Sequence, residues 1–210
     1  NGVDANGFRE YAFTDTFESK SYTAFLASIA SRDPMIYAGG NDGMLHAFNA
    51  ERTGGEEVFA YVPNEIIKDI HELTESTFSS GAYVDGPIST LDVFYSGDWH
   101  SVLVGALRTG GKGFYALDIT DPTDTADEIS LWEFTDDNDA DMGYSFGKAQ
   151  LVKLNTGEWA AIVANGYNST TEKAVLYVLD IEDGSVIKKF EVDTSGDNGL
   201  SGPVAISVDR

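Results

Sequence analysis

One pattern recurs three times along the chain and restricts its fold more than any other feature. A short apolar run (residues 35–38) meets a glycine-rich turn (39–43), runs back (45–48), turns at Gly54-Gly55 and continues into 58–62. The second copy is 102–105, the turn 110–113, then 114–118 and 129–134; the third is 160–164, 165–173, 175–180, Gly184 and 186–192. Glycines supply the positive-φ positions that sharp reversals need. Asn49, Asp118 and Asp180 occupy equivalent places, so the unit is roughly 60 to 70 residues, longer than common propeller repeats. Further apolar runs, 88–95, 147–154 and 204–208, stand where an additional inner strand is expected. The unit is then a four-stranded antiparallel blade, and blades around an axis make a β-propeller. The expected fold is all-β: a partial propeller of about three blades with one or two short inserted helices.

The division predicted from these signals is a leading segment (1–33), a blade (34–63), a helical insertion (64–75), blades at 82–135 and 143–192, and an orphan inner strand at 202–208. The first blade lacks its inner strand. Such an arc belongs to a larger ring or finds its missing edges in another chain, and self-association through unpaired edges is the corresponding expectation. Tyr22, Phe25, Leu26 and Ile29 fall at helical spacing, which predicts a helix over 21–31. Asn64 is read as the cap of a helix over 65–73 with the stripe Ile66, Ile67, Ile70 and Leu73.

With 35 acidic against 13 basic residues the net charge is −22, which repels phosphate backbones and argues against nucleic-acid binding. The acidity reads either as solubility or as a chain that works with calcium. Cysteine is absent, removing disulfides, zinc-thiolate sites and a thiol nucleophile. No apolar run reaches the roughly 18 residues of a spanning helix, and no leader segment is read, which says nothing of export.

Asp137, Asp139 and Asp141 have the alternate spacing of the first half of a calcium loop, but Met142 stands where glycine is needed and Lys148 where the closing glutamate belongs. A solvated acidic loop is the first reading and a weak calcium site the second. His46, His71 and His100 are not at ligand spacing and have no nucleophile motif nearby, so catalytic residues are not expected. Gly110-Gly111-Lys112-Gly113 joins two strands and is a hairpin turn rather than a phosphate loop. Trp99, Trp132 and Trp159 are expected between blades, and Tyr167 and Asn168 in a loop that could face outward.

A longer series of phrases carries a resemblance. It comprises residues 37–49 (YAGGNDGMLHAFN), Tyr61-Val-Pro63, Val84-Asp-Gly-Pro87, 102–118, Trp132-Glu-Phe-Thr135, Gly143-Tyr-Ser-Phe-Gly147, Asn165-Gly-Tyr-Asn-Ser169, Asp180 with Gly184, and Gly199-Leu-Ser-Gly-Pro203. In this order they resemble the C-terminal propeller of PilY/PilC-type proteins of type IV pili. The resemblance implies a quinoprotein-like propeller, exported by a Gram-negative bacterium and displayed at the pilus tip or outer membrane. It also implies contacts with minor pilins, roles in priming assembly and opposing retraction, and adhesion to host-cell or abiotic surfaces. Members carry a calcium loop after the Gly-Leu-Ser strand, of which only Asp209 is present here. A dehydrogenase using pyrroloquinoline quinone and calcium, or a scaffolding propeller of an envelope assembly machine, are the alternative readings.

Overall fold

The computed structural model of the chain describes residues 18–77 and 81–206. The first sheet is β1 (Met35–Gly39), β2 (Leu45–Asn49) and β3 (Glu57–Tyr61). The second is β4 (Ile88–Tyr95), β5 (Asp98–Ala106), β6 (Gly113–Asp118) and β7 (Ser130–Thr135). The third is β8 (Gln150–Lys153), β9 (Trp159–Ala164), β10 (Ala174–Asp180) and β11 (Val186–Asp193). Neighbours within each sheet follow sequence order and are antiparallel, so each sheet is a meander, as a propeller blade requires.

The repeat shows itself in backbone chemistry as well as in strand order. Asn49, Asp118 and Asp180 each accept the backbone N–H two residues on, from Glu51, Thr120 and Glu182, forming the same Asx turn at the end of the same strand. Each lies opposite an equivalent partner: Met35, Val102 and Ala160. One to two residues before each, the pairing to the outer strand slips in a β-bulge, at Ala47/Phe48, Ala116/Leu117 and Val178/Leu179. A bulge increases local twist, which lets the outer strand wrap around its neighbour.

The middle sheet explains why β5 and β6 are almost continuously apolar. Val102, Val104, Ala106, Phe114 and Ala116 face the third sheet, together with Trp159, Val163, Val175 and Tyr177. The alternate residues Leu103, Leu107, Tyr115 and Leu117 face the first sheet, together with Leu45, Ile66 and Val84. A strand covered on both sides has no solvent phase to encode, so its alternation disappears. Each large side chain fully buried in these two cores contributes about 1.5 to 3 kcal/mol.

The tryptophans stand at the blade boundary. Trp99 and Trp159 meet edge to face at 5.8 Å, and Trp132 donates from Nε1 to Ile181 O at 2.9 Å while its ring lies on Gly184. The first helix, α1 (Tyr22–Ser28), is shorter than predicted and lays Tyr22 and Phe25 on Trp99. Its end is marked by Ser28 Oγ bonding back to Phe25 O, which competes with helical continuation.

The predicted helix over 65–73 is corrected. It forms as α2 (Asn64–Ile67) followed by a separate 3-10 turn (Ile70–Thr74). His71 Nδ1 lies 3.0 Å from Lys68 O, and Thr74 Oγ1 donates to His71 O, so side chains take carbonyls that a continuous helix would use. Asn64 is not the cap. Glu133 of β7 accepts instead from Asn64 N and Nδ2, Glu65 N and Tyr61 OH, placing a carboxylate at the start of α2. A last short helix, α3 (Ala126–Ile129), begins in a capping box between Thr125 and Glu128.

The inner strand expected at 202–208 is described only as far as residue 206 and is unpaired there. Residues 201–206 form no strand, and Val204 and Ile206 are 84% and 79% exposed. A strand exists by exchanging backbone hydrogen bonds with a neighbour; Gly147 packs closely on Gly202, but no described strand pairs with this segment.

Candidate functional site

The segments that lead into the inner strands clip one blade to the next. Before β4, Val84 N donates to Gly40 O of the first blade, while Ala106 N of the second donates to Pro87 O. Gly86 and Gly110 allow this, because a Cβ at either would collide with backbone carbonyls, of Ala106 and Tyr83 respectively. Before β8, the fully buried Ser145 donates from Oγ to Gly113 O and accepts from Leu107 N, fastening the third blade's entry to the turn of the second. Before residues 201–206, Leu200 and Gly166 exchange backbone bonds at 2.9 and 3.0 Å.

Asn165 is the centre of this end of the molecule. Its side chain has no exposed surface, and Nδ2 donates at 2.7 Å to both Asp141 O and Lys173 O. Its Oδ1 accepts from Val175 N at 3.0 Å and Leu200 N at 3.2 Å. All four amide hydrogen-bonding opportunities are thus used across four segments. From sequence, Asn165-Gly166 reads as turn chemistry alone; only its place in the Asn-Gly-Tyr-Asn-Ser phrase signals more.

The acidic loop is divided among lysines. Asp137 pairs with Lys68 at 3.0 Å on the surface, whereas Lys189 of β11 lies 2.7 Å from Asp139 and 2.5 Å from Asp141. Thr171 Oγ1 also donates to Asp141, whose side chain is 5% exposed. Burial pushes the Asp141 carboxyl up, but the bonds from Lys189 and Thr171 outweigh it and hold it below the usual carboxylate range. Burial lowers Lys189 in the same way, and its bonds to Asp139 and Asp141 raise it above an ordinary lysine.

The Tyr177 hydroxyl beneath is fully buried; burial first, then Asp139 and Asp141, push its ionisation upward. Asp139 and Asp141 are therefore brought together around a cation supplied by the chain, and Asp137 is not. Among the described residues no group of three or more His, Cys, Asp or Glu side chains is arranged to hold a metal ion. Asp209 lies outside the described residues.

The histidines are engaged structurally. His71 meets a backbone carbonyl. His100 Nδ1 lies 2.6 Å from Asp118 Oδ2 and its ring stacks on Tyr95 at 3.9 Å. Tyr95 OH and Thr120 also donate to Asp118, so that burial, which raises the carboxyl, is overcome and its pKa sits at about 2. His46 stands between Asp42 and Glu57.

Two further features carry exposed polar and aromatic groups. Beside the edge strand β1 a cleft of about 540 Å³ opens toward β4, lined by Arg32, Met35, Tyr37, Leu91 and Asp92. Arg32 Nη1 donates to Ser101 Oγ, Thr120 O and Ile119 O, and burial pushes Tyr37 up to about 12. At the turn end, Tyr167 is half exposed and stacks on Phe146 at 4.9 Å, with the Arg108 guanidinium 5.1 Å over the Phe146 ring. Gly110-Gly111-Lys112-Gly113 joins β5 to β6 as a hairpin.

The family described as the PilY1 beta-propeller domain matches residues 3–210. The type IV pilus biogenesis factor PilY1 of Pseudomonas aeruginosa (strain PAO1) is 44% identical over 190 residues, covering 88% of this chain and 16% of that protein. A PilY1 homolog of Xylella fastidiosa (strain Temecula1) is 41% identical over 185 residues, 87% of this chain and 12% of that protein. The chain thus spans a small part of the curated relatives it matches. The crystal structure of the Pseudomonas aeruginosa PilY1 C-terminal domain superposes with a TM-score of 0.74 at 40% identity, covering 89% of this chain and 36% of that one. With the family matching residues 3–210 and a relative 44% identical over 88% of the chain, the chain belongs to the PilY1 β-propeller domain family.

Proposed function

We propose that this chain is a non-enzymatic propeller segment of a type IV pilus biogenesis factor. In this reading it acts through protein–protein contacts with minor pilins at the pilus tip. It supports assembly against retraction and adhesion to host-cell or abiotic surfaces, after export from a Gram-negative cell. The observation that carries the reading is the 44% identity to a named pilus biogenesis factor, sustained over 88% of the chain. The buried polar side chains support it, because Asn165, Ser145 and Asp141 are spent on joining segments to one another. What remains for partners is the outer strand, the turns and the loops, where propellers characteristically carry function.

The test is a chimera. The matching segment of the Pseudomonas aeruginosa relative is replaced by this chain in a strain lacking the endogenous gene, and sheared surface pilin and twitching are measured. Recovery of both is expected. A chimera that accumulates to normal levels and leaves surface pilin at that of the deletion strain overturns the proposal.

A further inference from the structure

His46 is held from both sides of its ring. Nε2 lies 2.9 Å from Asp42 Oδ2 and 3.2 Å from Oδ1, and Nδ1 lies 2.9 Å from Glu57 Oε1. Asp42 belongs to the β1–β2 turn and Glu57 to the start of β3, so the ring, on β2 between them, is the point where the two meet. Ionised carboxylates only accept hydrogen bonds, and a neutral imidazole has only one N–H to give. Both contacts are satisfied together only when the ring carries both protons.

We propose that His46 is a proton-operated clasp that ties the β1–β2 turn to β3 and thereby holds the first blade's turn in its docked position. When the ring loses a proton, a nitrogen lone pair faces a carboxylate, and one of the two ties is released. The turn it controls is a junction. Met44 N donates to Asp42 Oδ1, Val84 N donates to Gly40 O, and Gly43 rests on Ile66 and Ile70 of the insertion. Loosening Asp42 therefore loosens the contact between the first blade and the segment that enters β4.

The charged groups acting on the ring are Glu57 from β3 and Asp42 from the turn. Its cross-strand neighbours, Ala38 on β1 and Ala60 on β3, are uncharged, as is Phe48, stacked on it at 5.8 Å. The hydrogen bond with Glu57 is the largest influence and raises its proton affinity; the loss of hydration comes next and opposes it, and Asp42 adds to the rise. Because the folded value lies above the ordinary imidazole value of about 6.5, the clasp contributes fully below that pH and is lost as pH rises through the folded value.

The test follows the His46 ring by NMR through a pH titration of the chain and of its Asp42→Asn and Glu57→Gln variants. Amide exchange at Gly40 and Met44 is compared with that of His46→Gln at the same pH, which cancels the intrinsic base dependence. A wild-type midpoint above 6.5, a downward shift in each carboxylate variant, and protection at Gly40 and Met44 that declines through the midpoint are expected. Should His46→Gln fail to fold, the Asp42→Asn/Glu57→Gln double variant, which keeps the ring, takes its place as the exchange reference. A midpoint at or below the ordinary value, midpoints that do not move, or an exchange ratio flat with pH overturns the proposal.

Discussion

Replacing Asn165 by alanine removes a side chain that satisfies buried backbone groups in three other segments. Its amide donates to Asp141 O and Lys173 O and accepts from Val175 N and Leu200 N. Leu200 N keeps a second acceptor, Gly166 O at 2.9 Å, so that arm contributes little. Three bonds then carry the effect. Each contributes a net ~1 to 1.5 kcal/mol, and Asn165 has no exposed surface through which water could replace them, so a loss of about 3 to 4.5 kcal/mol is expected. Against a total stability of about 5 to 15 kcal/mol this is a large fraction. Urea denaturation followed by tryptophan fluorescence reads it as a midpoint lowered by about 1 to 4.5 M, for a slope near 1 to 3 kcal/mol/M. Asn165→Asp sharpens the test. The aspartate keeps an acceptor for Val175 N but offers the two carbonyls a negative charge, so at neutral pH it should destabilise at least as much and recover partly on acidification. A loss below about 1 kcal/mol for the alanine variant, or wild-type stability for the aspartate variant, would refute the reasoning.

Three other outcomes are expected. Lys189→Met leaves Asp139 without its cation and Asp141 with only Lys173 at 3.8 Å, so it should lower stability by about 3 kcal/mol in denaturation experiments. Added calcium should shift the melting temperature of that variant more than that of the wild type; equal shifts would mean that Lys189 does not occupy the cation position. Asp118 is held at about 2 by His100, Thr120 and Tyr95 despite its burial, so its contribution is present above the ordinary value of 3.8 and lost as pH falls from there toward 2. Asp118→Asn should flatten that part of the acid-unfolding curve. Gly86→Ala should destabilise by several kcal/mol, measured by thermal unfolding, because the new methyl meets the Ala106 carbonyl and the entry to β4 must shift.

The recurrence of apolar run, glycine turn and apolar run was enough to specify meandering antiparallel sheets and their order, because a two-residue period and positive-φ turns are local properties. The equivalence of Asn49, Asp118 and Asp180 was legible for the same reason: an Asx turn is closed by a residue two places away. The breakdown of the 65–73 helix was not legible. What caps its start is Glu133, nearly 70 positions later, and the His71 and Thr74 side chains bond backbone carbonyls rather than solvent. Likewise Asp137, Asp139 and Asp141 share a spacing that resembles one ligand set, yet Lys68 and Lys189, brought from opposite directions along the chain, divide them, Lys68 taking Asp137 and Lys189 taking Asp139 and Asp141.

Composition, period and turn residues therefore determined the class of fold and the repeat unit. The tertiary structure alone decided which polar side chains became structural: Asn165 at a four-segment junction, Ser145 across a blade boundary, and His46 between two carboxylates. The physical reason is range. Hydrophobic alternation and backbone dihedrals are set within a few residues, whereas a hydrogen bond or ion pair depends on which distant segment the folded chain places within about 3 Å.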